Sequence, residues 1–126
     1  MLTQSDSIQV KRSVGKGRGV FARRDIPKGE IIETVPVLLI PAEAMVDGVD
    51  NKWLGKYYYW WDKKTLAVSL GYGSLYNHSY KPNAGYEHGH ATITYRALRN
   101  IPAGEEICIN YNWDPKDLAA LSFKVV

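Results

Sequence analysis

Apolar and polar residues alternate along most of the chain in short runs that end at glycine, proline or asparagine. This pattern is typical of β-strands joined by tight turns. Strands are predicted at residues 8–12, 20–22, 30–40, 57–61, 65–70, 85–87, 91–96 and 106–111. Helices are predicted only at 42–46 and 115–121, and both are short. The pattern therefore predicts a mostly β protein.

Turn residues join these strands into hairpins. One turn is expected at 62–64, another at 88–90 with Gly89 at its tip, and a third in the glycine-rich run 15–19. Pro36 is expected at a sheet edge or a bulge, because proline cannot donate to a strand ladder. The segment RDIPKGE at 24–30 recurs as RNIPAGE at 99–105. Proline second and glycine fourth suit a type I turn, so we interpret the recurrence as turn chemistry and not as a functional repeat.

The segment NHSYKPN at 77–83 brings an amide, an imidazole, a hydroxyl and a phenol together ahead of Pro82. Proline favours an extended preceding residue, and asparagine and serine bond to their own backbone, so a fixed loop is predicted instead of a strand. Taken alone, the segment is better explained by a capped turn with one buried histidine than by a binding site.

The composition fits one globular domain of 126 residues, rich in rings (9 Tyr, 4 Trp and 2 Phe). A net charge of +3 is too small for a nucleic-acid surface, so no direct nucleic-acid partner is expected. Cys108 is the only cysteine, which excludes an internal disulfide and disfavours a zinc site. No leader or long apolar run is found, so a soluble, intracellular protein without membrane contact is expected.

Several familiar chemistries are poorly supported by the residues. The run GKGRG at 15–19 lacks the serine or threonine of a P-loop and the helix of a dinucleotide-binding turn, although its glycines allow close backbone approach to a ligand. Cys108 lies in a strand too apolar to stabilise a thiolate. Glu105 and Glu106 should point to opposite strand faces and form a solvated strand start.

Three segments in series resemble the SET-domain protein lysine methyltransferases. They are GKGRGVFA at 15–22, LGYGSLYNHS at 70–79 followed by Pro82 and Asn83, and GEEI at 104–107 leading to Asn110 and Tyr111. The short chain is most similar to minimal, zinc-free viral and bacterial members. Tyr80 stands where many members have a zinc-binding cysteine, so the resemblance implies no metal.

The resemblance implies a SET fold of small twisted sheets, β-clip-like, with short helices. In such a fold the C-terminal segment forms a pseudoknot that brings Tyr111 beside Asn77 and His78. It also implies one domain over 1–126, with a motif core at 8–113 and with 114–126 replacing a zinc-binding region.

The resemblance implies S-adenosyl-L-methionine as cofactor and S-adenosyl-L-homocysteine as product. Tyr111 would be the catalytic residue. The cofactor would be bound by Lys16, Gly17, Arg18, Tyr58, Asn77, His78 and Trp113. The substrate channel would include Tyr72, Tyr76 and Ile109, the last of these standing where many members have a ring that limits methylation.

The expected activity is methyl transfer to a protein lysine, with a histone tail as the favoured substrate and another protein lysine as an alternative. A degenerate SET domain that binds peptides without catalysis is a second possibility, which intact Asn77, His78 and Tyr111 disfavour. A homodimer is compatible with the many rings. The resemblance is compatible with a cytoplasmic or host nuclear location.

Overall fold

The computed structural model describes residues 5–44 and 58–111, and these ranges contain nine strands. They are β1 (Ile8–Ser13), β2 (Gly17–Ala22), β3 (Ile31–Pro41), β4 (Tyr58–Asp62), β5 (Thr65–Ser69), β6 (Asn77–His78), β7 (Ala84–His88), β8 (Thr92–Ala97) and β9 (Glu106–Ile109). Two single 3₁₀ turns lie at Ala42–Ala44 and Tyr72–Ser74. The mostly β prediction is confirmed.

The strands form two sheets. The first has the order β1-β2-β9-β6, in which β9 is antiparallel to β2 and parallel to β6. The second has the order β4-β5-β3-β8-β7 and is antiparallel throughout. The three predicted hairpins are confirmed as β1–β2, β4–β5 and β7–β8.

The glycine-rich run forms the turn of the first hairpin and the start of its second strand. Ser13 pairs with Gly17, and the Lys16 N–H donates to the Ser13 carbonyl at 3.1 Å. Gly15 and Gly17 have φ values of 75° and 81°, which residues with a Cβ rarely adopt. Strand β2 therefore begins inside the run, three residues before the predicted start at Val20.

Strand β3 is central to the second sheet and changes its neighbour at Pro36. It pairs with β8 as far as Pro36 and with β5 from Val37 onward. The edge or bulge predicted at Pro36 is wrong, because the irregularity lies between Ile31 and Glu33. Proline is tolerated in this central strand because the ladder with β5 begins only at the next residue.

The segments 24–30 and 99–105 are turns that also bond to each other. Ile26 and Ile101 exchange two main-chain hydrogen bonds of 2.8 Å. Each turn also caps the other: Asp25 Oδ1 accepts the Ala103 N–H at 2.9 Å, and Asn100 Oδ1 accepts the Lys28 N–H at 2.8 Å. The recurrence therefore builds an approximately twofold contact that ties the start of β3 to the start of β9.

The type of these turns differs from the prediction. The Glu30 N–H donates to the Pro27 carbonyl and the Glu105 N–H donates to the Pro102 carbonyl, both at 3.1 Å. This places the glycine third in each turn, with φ 88° in both cases. A positive φ at the third residue is characteristic of a type II turn, so the type I prediction is wrong.

Two further local predictions are corrected. Asn77–His78 is a short parallel strand and not a loop, because it pairs with Cys108 and Ile109 on the open edge of β9. The helix predicted at 42–46 is a single 3₁₀ turn at Ala42–Ala44, and its last two residues lie outside the described ranges. The helix predicted at 115–121 also lies outside them.

The buried residues of both sheets form one apolar cluster. Its fully enclosed members include Val20, Ile93, Ile101, Ile107 and Ile109, each 0–1% exposed. The described residues thus share a core, while the single-domain assignment over 1–126 stays a prediction. Within those residues, no helix has the length and apolar character needed to cross a membrane.

Asn83 is the buried polar residue that fixes β9, and Asn83→Ala should destabilise the protein by about 2–4 kcal/mol. The side chain is 4% exposed. Its Nδ2 donates to the Glu106 carbonyl at 2.8 Å and to Glu105 Oε2 at 3.0 Å, and its Oδ1 accepts the Cys108 N–H at 2.9 Å. Urea unfolding of the wild type and the variant measures the loss.

Asn100→Ala is the matched control, because exposed Asn100 makes a single side-chain bond to the Lys28 N–H. It should cost about 1 kcal/mol or less. Equal losses in the two variants would contradict the role assigned to Asn83.

Candidate active site

The pairing of β6 with β9 brings the NHS segment to the end of the last described strand. Asn77 lies opposite Cys108 and His78 opposite Ile109, and the Ser79 N–H donates to the Ile109 carbonyl at 2.9 Å. Tyr111 follows β9 by two residues and lies beside His78. The resemblance implied a contact of Tyr111 with His78, and this contact is present.

His78 is a buried imidazole that holds the backbone of Tyr111. It is 4% exposed, and its Nδ1 accepts the Tyr111 N–H at 3.0 Å. The neutral ring must then carry its proton on Nε2. That Nε2 atom is buried and has no hydrogen-bond partner among the described residues. Burial lowers the pKa of His78, and the positive charge of Lys16 lowers it further.

Tyr111 is half-buried against the core, and its phenol is held by the segment before β6. Its Oη donates to the Tyr76 carbonyl at 2.5 Å, and its ring lies 5.2 Å from the His78 ring between centroids. The backbone bond to His78 and the hydroxyl bond to Tyr76 fix both ends of the residue. The Tyr111 hydroxyl is thus presented from a rigid position.

Glu33 is a buried carboxylate behind this arrangement that the sequence reading missed. It is 2% exposed, accepts the Tyr76 hydroxyl at 2.8 Å and accepts the Tyr72 N–H at 3.3 Å. Burial raises the pKa of Glu33, although the two hydrogen bonds oppose the rise. The available signal was a single acid in the otherwise uncharged strand β3.

Asn77 links the NHS segment to the glycine-rich hairpin. Its Nδ2 donates to the Arg18 carbonyl at 2.9 Å and to Glu106 Oε2 at 2.6 Å. The Asn77 Oδ1 accepts no hydrogen bond from the described residues. Of the hairpin residues predicted to bind the cofactor, Arg18 therefore contacts Asn77, and Lys16 lies near the Glu106 carboxylate that Asn77 binds.

Glu106 belongs to this cluster, and its assignment as a solvated strand start is wrong. Its side chain is 18% exposed; Oε1 accepts the Ser13 hydroxyl at 2.8 Å and lies 3.9 Å from Lys16 Nζ. Glu105 points elsewhere and pairs with Arg99 at 3.0 Å. The expected separation of the two acids onto different faces is confirmed. The role of Glu106 depends on non-local partners, which the sequence reading did not identify.

For the other predicted site residues, the structure gives burial or position in the chain but no contact that defines a role. Tyr72 is half-buried against the core, whereas Tyr76 and Ile109 are 1% and 0% exposed, so their role in a substrate channel stays a prediction. Tyr58 begins β4, but its side chain lies outside those described. Trp113 also lies outside the described residues.

Neither a metal cluster nor an activated thiol is found in the described part of the chain. It has no group of three or more histidine, cysteine or acidic side chains placed to bind a metal. Burial raises the pKa of Cys108 to about 11. The thiol is therefore a poor nucleophile, as the apolar strand predicted.

The comparison with known proteins decides the family. The SET domain model matches residues 17–112, which is more than half of the chain. The chain belongs to the SET-domain family. Membership places it among the protein lysine methyltransferases, so the predicted enzyme class is confirmed.

Relatives of this SET domain are named histone-lysine methyltransferases. The chain is 35% identical to the histone H3 lysine-37-specific methyltransferase of Schizosaccharomyces pombe, over 82% of this chain and 72% of that protein. It is 27% identical to human histone-lysine N-methyltransferase 2B, over 91% of this chain but 5% of that protein. A Plasmodium falciparum crystal structure, of a candidate histone methyltransferase, is similar with a TM-score of 0.71 and 36% identity, over 86% of this chain and 95% of that chain. The zinc-free subtype stays a prediction.

Acid should destabilise this SET domain through His78, because protonated Nδ1 could no longer accept the Tyr111 N–H. The folded-state pKa is lowered, so the unfolded chain binds the proton more readily. The contribution should be complete above about pH 6.5, the ordinary histidine pKa, and lost as the pH falls through the lower folded pKa. Urea unfolding between pH 8 and pH 5 should show a steeper fall for the wild type than for His78→Gln.

His90→Gln is the matched control, because His90 lies exposed near a hairpin tip and this variant retains His78. It should keep the pH dependence of the wild type. A wild-type pH dependence that persists in His78→Gln would contradict the assignment.

Proposed function

We propose that this SET domain transfers a methyl group from S-adenosyl-L-methionine to a lysine of a protein substrate. The observation that carries the proposal is the position of the Tyr111 phenol, held between His78 and the Tyr76 carbonyl beside the polar cluster at Asn77. Methyl transfer needs alignment of two reactants and stabilisation of a moving positive charge, and it needs no metal or strong acid.

The polar groups around Asn77 fit the amino-acid part of this cofactor. The Asn77 Nδ2 is bound by the Arg18 carbonyl and the Glu106 carboxylate, which leaves the Asn77 Oδ1 as an acceptor on the other side of the amide. An amide oxygen suits an ammonium group, while Lys16 at the same cluster suits a carboxylate. The buried His78 Nε2, unpartnered among the described residues, is a further donor at this site.

The cofactor would therefore be held by the glycine-rich hairpin on one side and by β6 on the other. Lys16, Gly17 and Arg18 would contribute backbone groups, and Asn77 and His78 would hold the amino group and the adenine. Tyr58 and Trp113 are proposed as further contacts. When bound, the cofactor supplies a methyl group attached to a positively charged sulfur.

Tyr111 would orient the reacting groups at the transfer point. Its hydroxyl donates to the Tyr76 carbonyl, and because a phenol oxygen can also accept, it would contact an amine or a polarised methyl as an acceptor. The lysine must attack as a neutral amine. Apolar and aromatic surroundings, with Tyr72, Tyr76 and Ile109 proposed as channel residues, would lower the lysine pKa by desolvation.

The favoured substrate is a histone lysine, because the relatives are named histone-lysine N-methyltransferases. A histone substrate implies an intracellular protein that acts on chromatin proteins, in the nucleus or in the cytoplasm.

The function is tested by incubating the protein with methyl-labelled S-adenosyl-L-methionine and purified core histones or cell lysate. We expect label on a lysine of a histone, located by mass spectrometry. Label on a different protein would retain the activity and change the substrate. Saturable peptide binding without any labelled product would favour the non-catalytic peptide-binding module.

Tyr111→Phe should lower turnover by about 100-fold, the cost of removing one group that acts at the reacting centre. The affinity for S-adenosyl-L-homocysteine should change by less than about threefold, because the hydroxyl acts on the transferred group. Single-turnover kinetics and calorimetric titration separate the two effects. Loss of affinity in proportion to turnover would contradict the assignment.

Asn77→Ala should show the opposite behaviour. It should weaken S-adenosyl-L-homocysteine binding by about 1–3 kcal/mol, because the variant removes the acceptor for the amino group. Calorimetric titration of Asn77→Ala against the wild type and Tyr111→Phe measures the difference. Unchanged affinity in Asn77→Ala would exclude Asn77 from the cofactor site.

A further inference from the structure

Glu106 is a hydrogen-bonded acid beside the candidate cofactor site, and the proposed reaction gives it no direct role. Its two carboxylate oxygens have different partners. Oε1 accepts the Ser13 hydroxyl at 2.8 Å and faces Lys16, whereas Oε2 accepts Asn77 Nδ2 at 2.6 Å. The carboxylate is thus held by β1 and its turn on one side and is directed at Asn77 on the other.

These contacts determine which way the Asn77 amide faces. Its nitrogen and oxygen differ only in donating or accepting hydrogen bonds, so the neighbours decide the orientation. Both neighbours on the Nδ2 side, the Arg18 carbonyl and the Glu106 carboxylate, can only accept. A flipped amide would place Oδ1 against two acceptors, which is strongly unfavourable. Asn77 must therefore present Oδ1 on its remaining, half-buried side.

Gly19 has no side chain, and this leaves space for the hydrogen bond between Glu106 and Asn77. A Cβ at position 19 would lie 2.4 Å from Glu106 Oε2 and 2.8 Å from Asn77 Nδ2. Both atoms are ends of side chains, so an alanine could be accommodated if the two side chains moved apart. The glycine-rich hairpin therefore permits the Glu106–Asn77 bond as well as the backbone contact through Arg18.

We infer that Glu106 is a positioning residue that fixes the Asn77 amide with Oδ1 toward the ammonium group of the cofactor. The inference rests on the proposed function, because the ammonium belongs to the proposed cofactor. Glu106 itself need not touch the cofactor. It acts through Asn77. A neutral side chain at position 106 that could also donate hydrogen bonds would orient the Asn77 amide less strictly.

The inference is tested by calorimetric titration of two ligands, S-adenosyl-L-homocysteine and its analogue that lacks the amino group. Glu106→Gln keeps the size of the side chain but introduces a donor, so it no longer forces the Asn77 orientation. We expect S-adenosyl-L-homocysteine to bind about tenfold more weakly to Glu106→Gln, the effect of one charge-assisted hydrogen bond. The analogue without the amino group should bind to variant and wild type within about threefold.

A second variant and a spectroscopic signature keep the test independent of folding. Gly19→Ala should separate Glu106 from Asn77 and reproduce the ligand-selective loss. In ¹⁵N-labelled protein, the Asn77 side-chain amide protons should exchange slowly with solvent in the wild type and at least tenfold faster in both variants. Thermal unfolding of each variant checks that the fold is retained.

Glu105→Gln is the matched control. It replaces the neighbouring acid, whose carboxylate pairs with Arg99 and Asn83 and not with Asn77. It should leave both affinities and the Asn77 amide exchange unchanged.

Three outcomes separate this inference from the proposed function. Equal weakening of both ligands in Glu106→Gln, or wild-type affinity for both, would overturn the positioning role while the cofactor site remained. Failure of the wild type to bind either ligand would overturn the proposed function, and the positioning role with it.

Discussion

The parallel pairing of β6 with β9 is the constraint on which the site depends. Two strand residues, Asn77 and His78, lie against Cys108 and Ile109, and the Ser79 N–H extends the ladder to the Ile109 carbonyl. This short ladder fixes the distance between segments more than 30 residues apart in sequence. Without it, the positions of the Asn77 amide and the Tyr111 phenol relative to each other would not be fixed. Neither group alone has the chemistry of a methyltransferase.

Buried polar side chains make that pairing specific. Asn83 bonds to the β9 backbone at Glu106 and Cys108, His78 accepts the Tyr111 N–H, and Glu33 accepts the Tyr76 hydroxyl. Each of these polar groups would be costly to bury without its partner, so a shifted register would leave several of them unsatisfied. The polar network thus selects one arrangement of strands that apolar packing alone would not distinguish. Within this network, His78 also holds Tyr111, the proposed catalytic residue.

The sequence predicted the features that depend on neighbouring residues. Hairpins follow from alternating apolar residues and turn residues, and the SET motifs follow from short segments in order. The features that it missed join distant residues: Glu33 meets Tyr76, Glu106 meets Asn77, and Asn77–His78 forms a strand only because β9 offers an edge. Asparagine and histidine have weak strand propensity, so a loop was the reasonable local prediction. Tertiary pairing overrides that propensity.

The most direct test of the account is a crystal structure of the protein with S-adenosyl-L-homocysteine bound. The account predicts that the ligand lies between the glycine-rich hairpin and β6, with its ammonium on the Asn77 Oδ1 and its sulfur toward the Tyr111 hydroxyl. The Asn77 Nδ2 should still donate to the Arg18 carbonyl and Glu106. A ligand bound away from Asn77, or with its sulfur remote from Tyr111, would contradict the account.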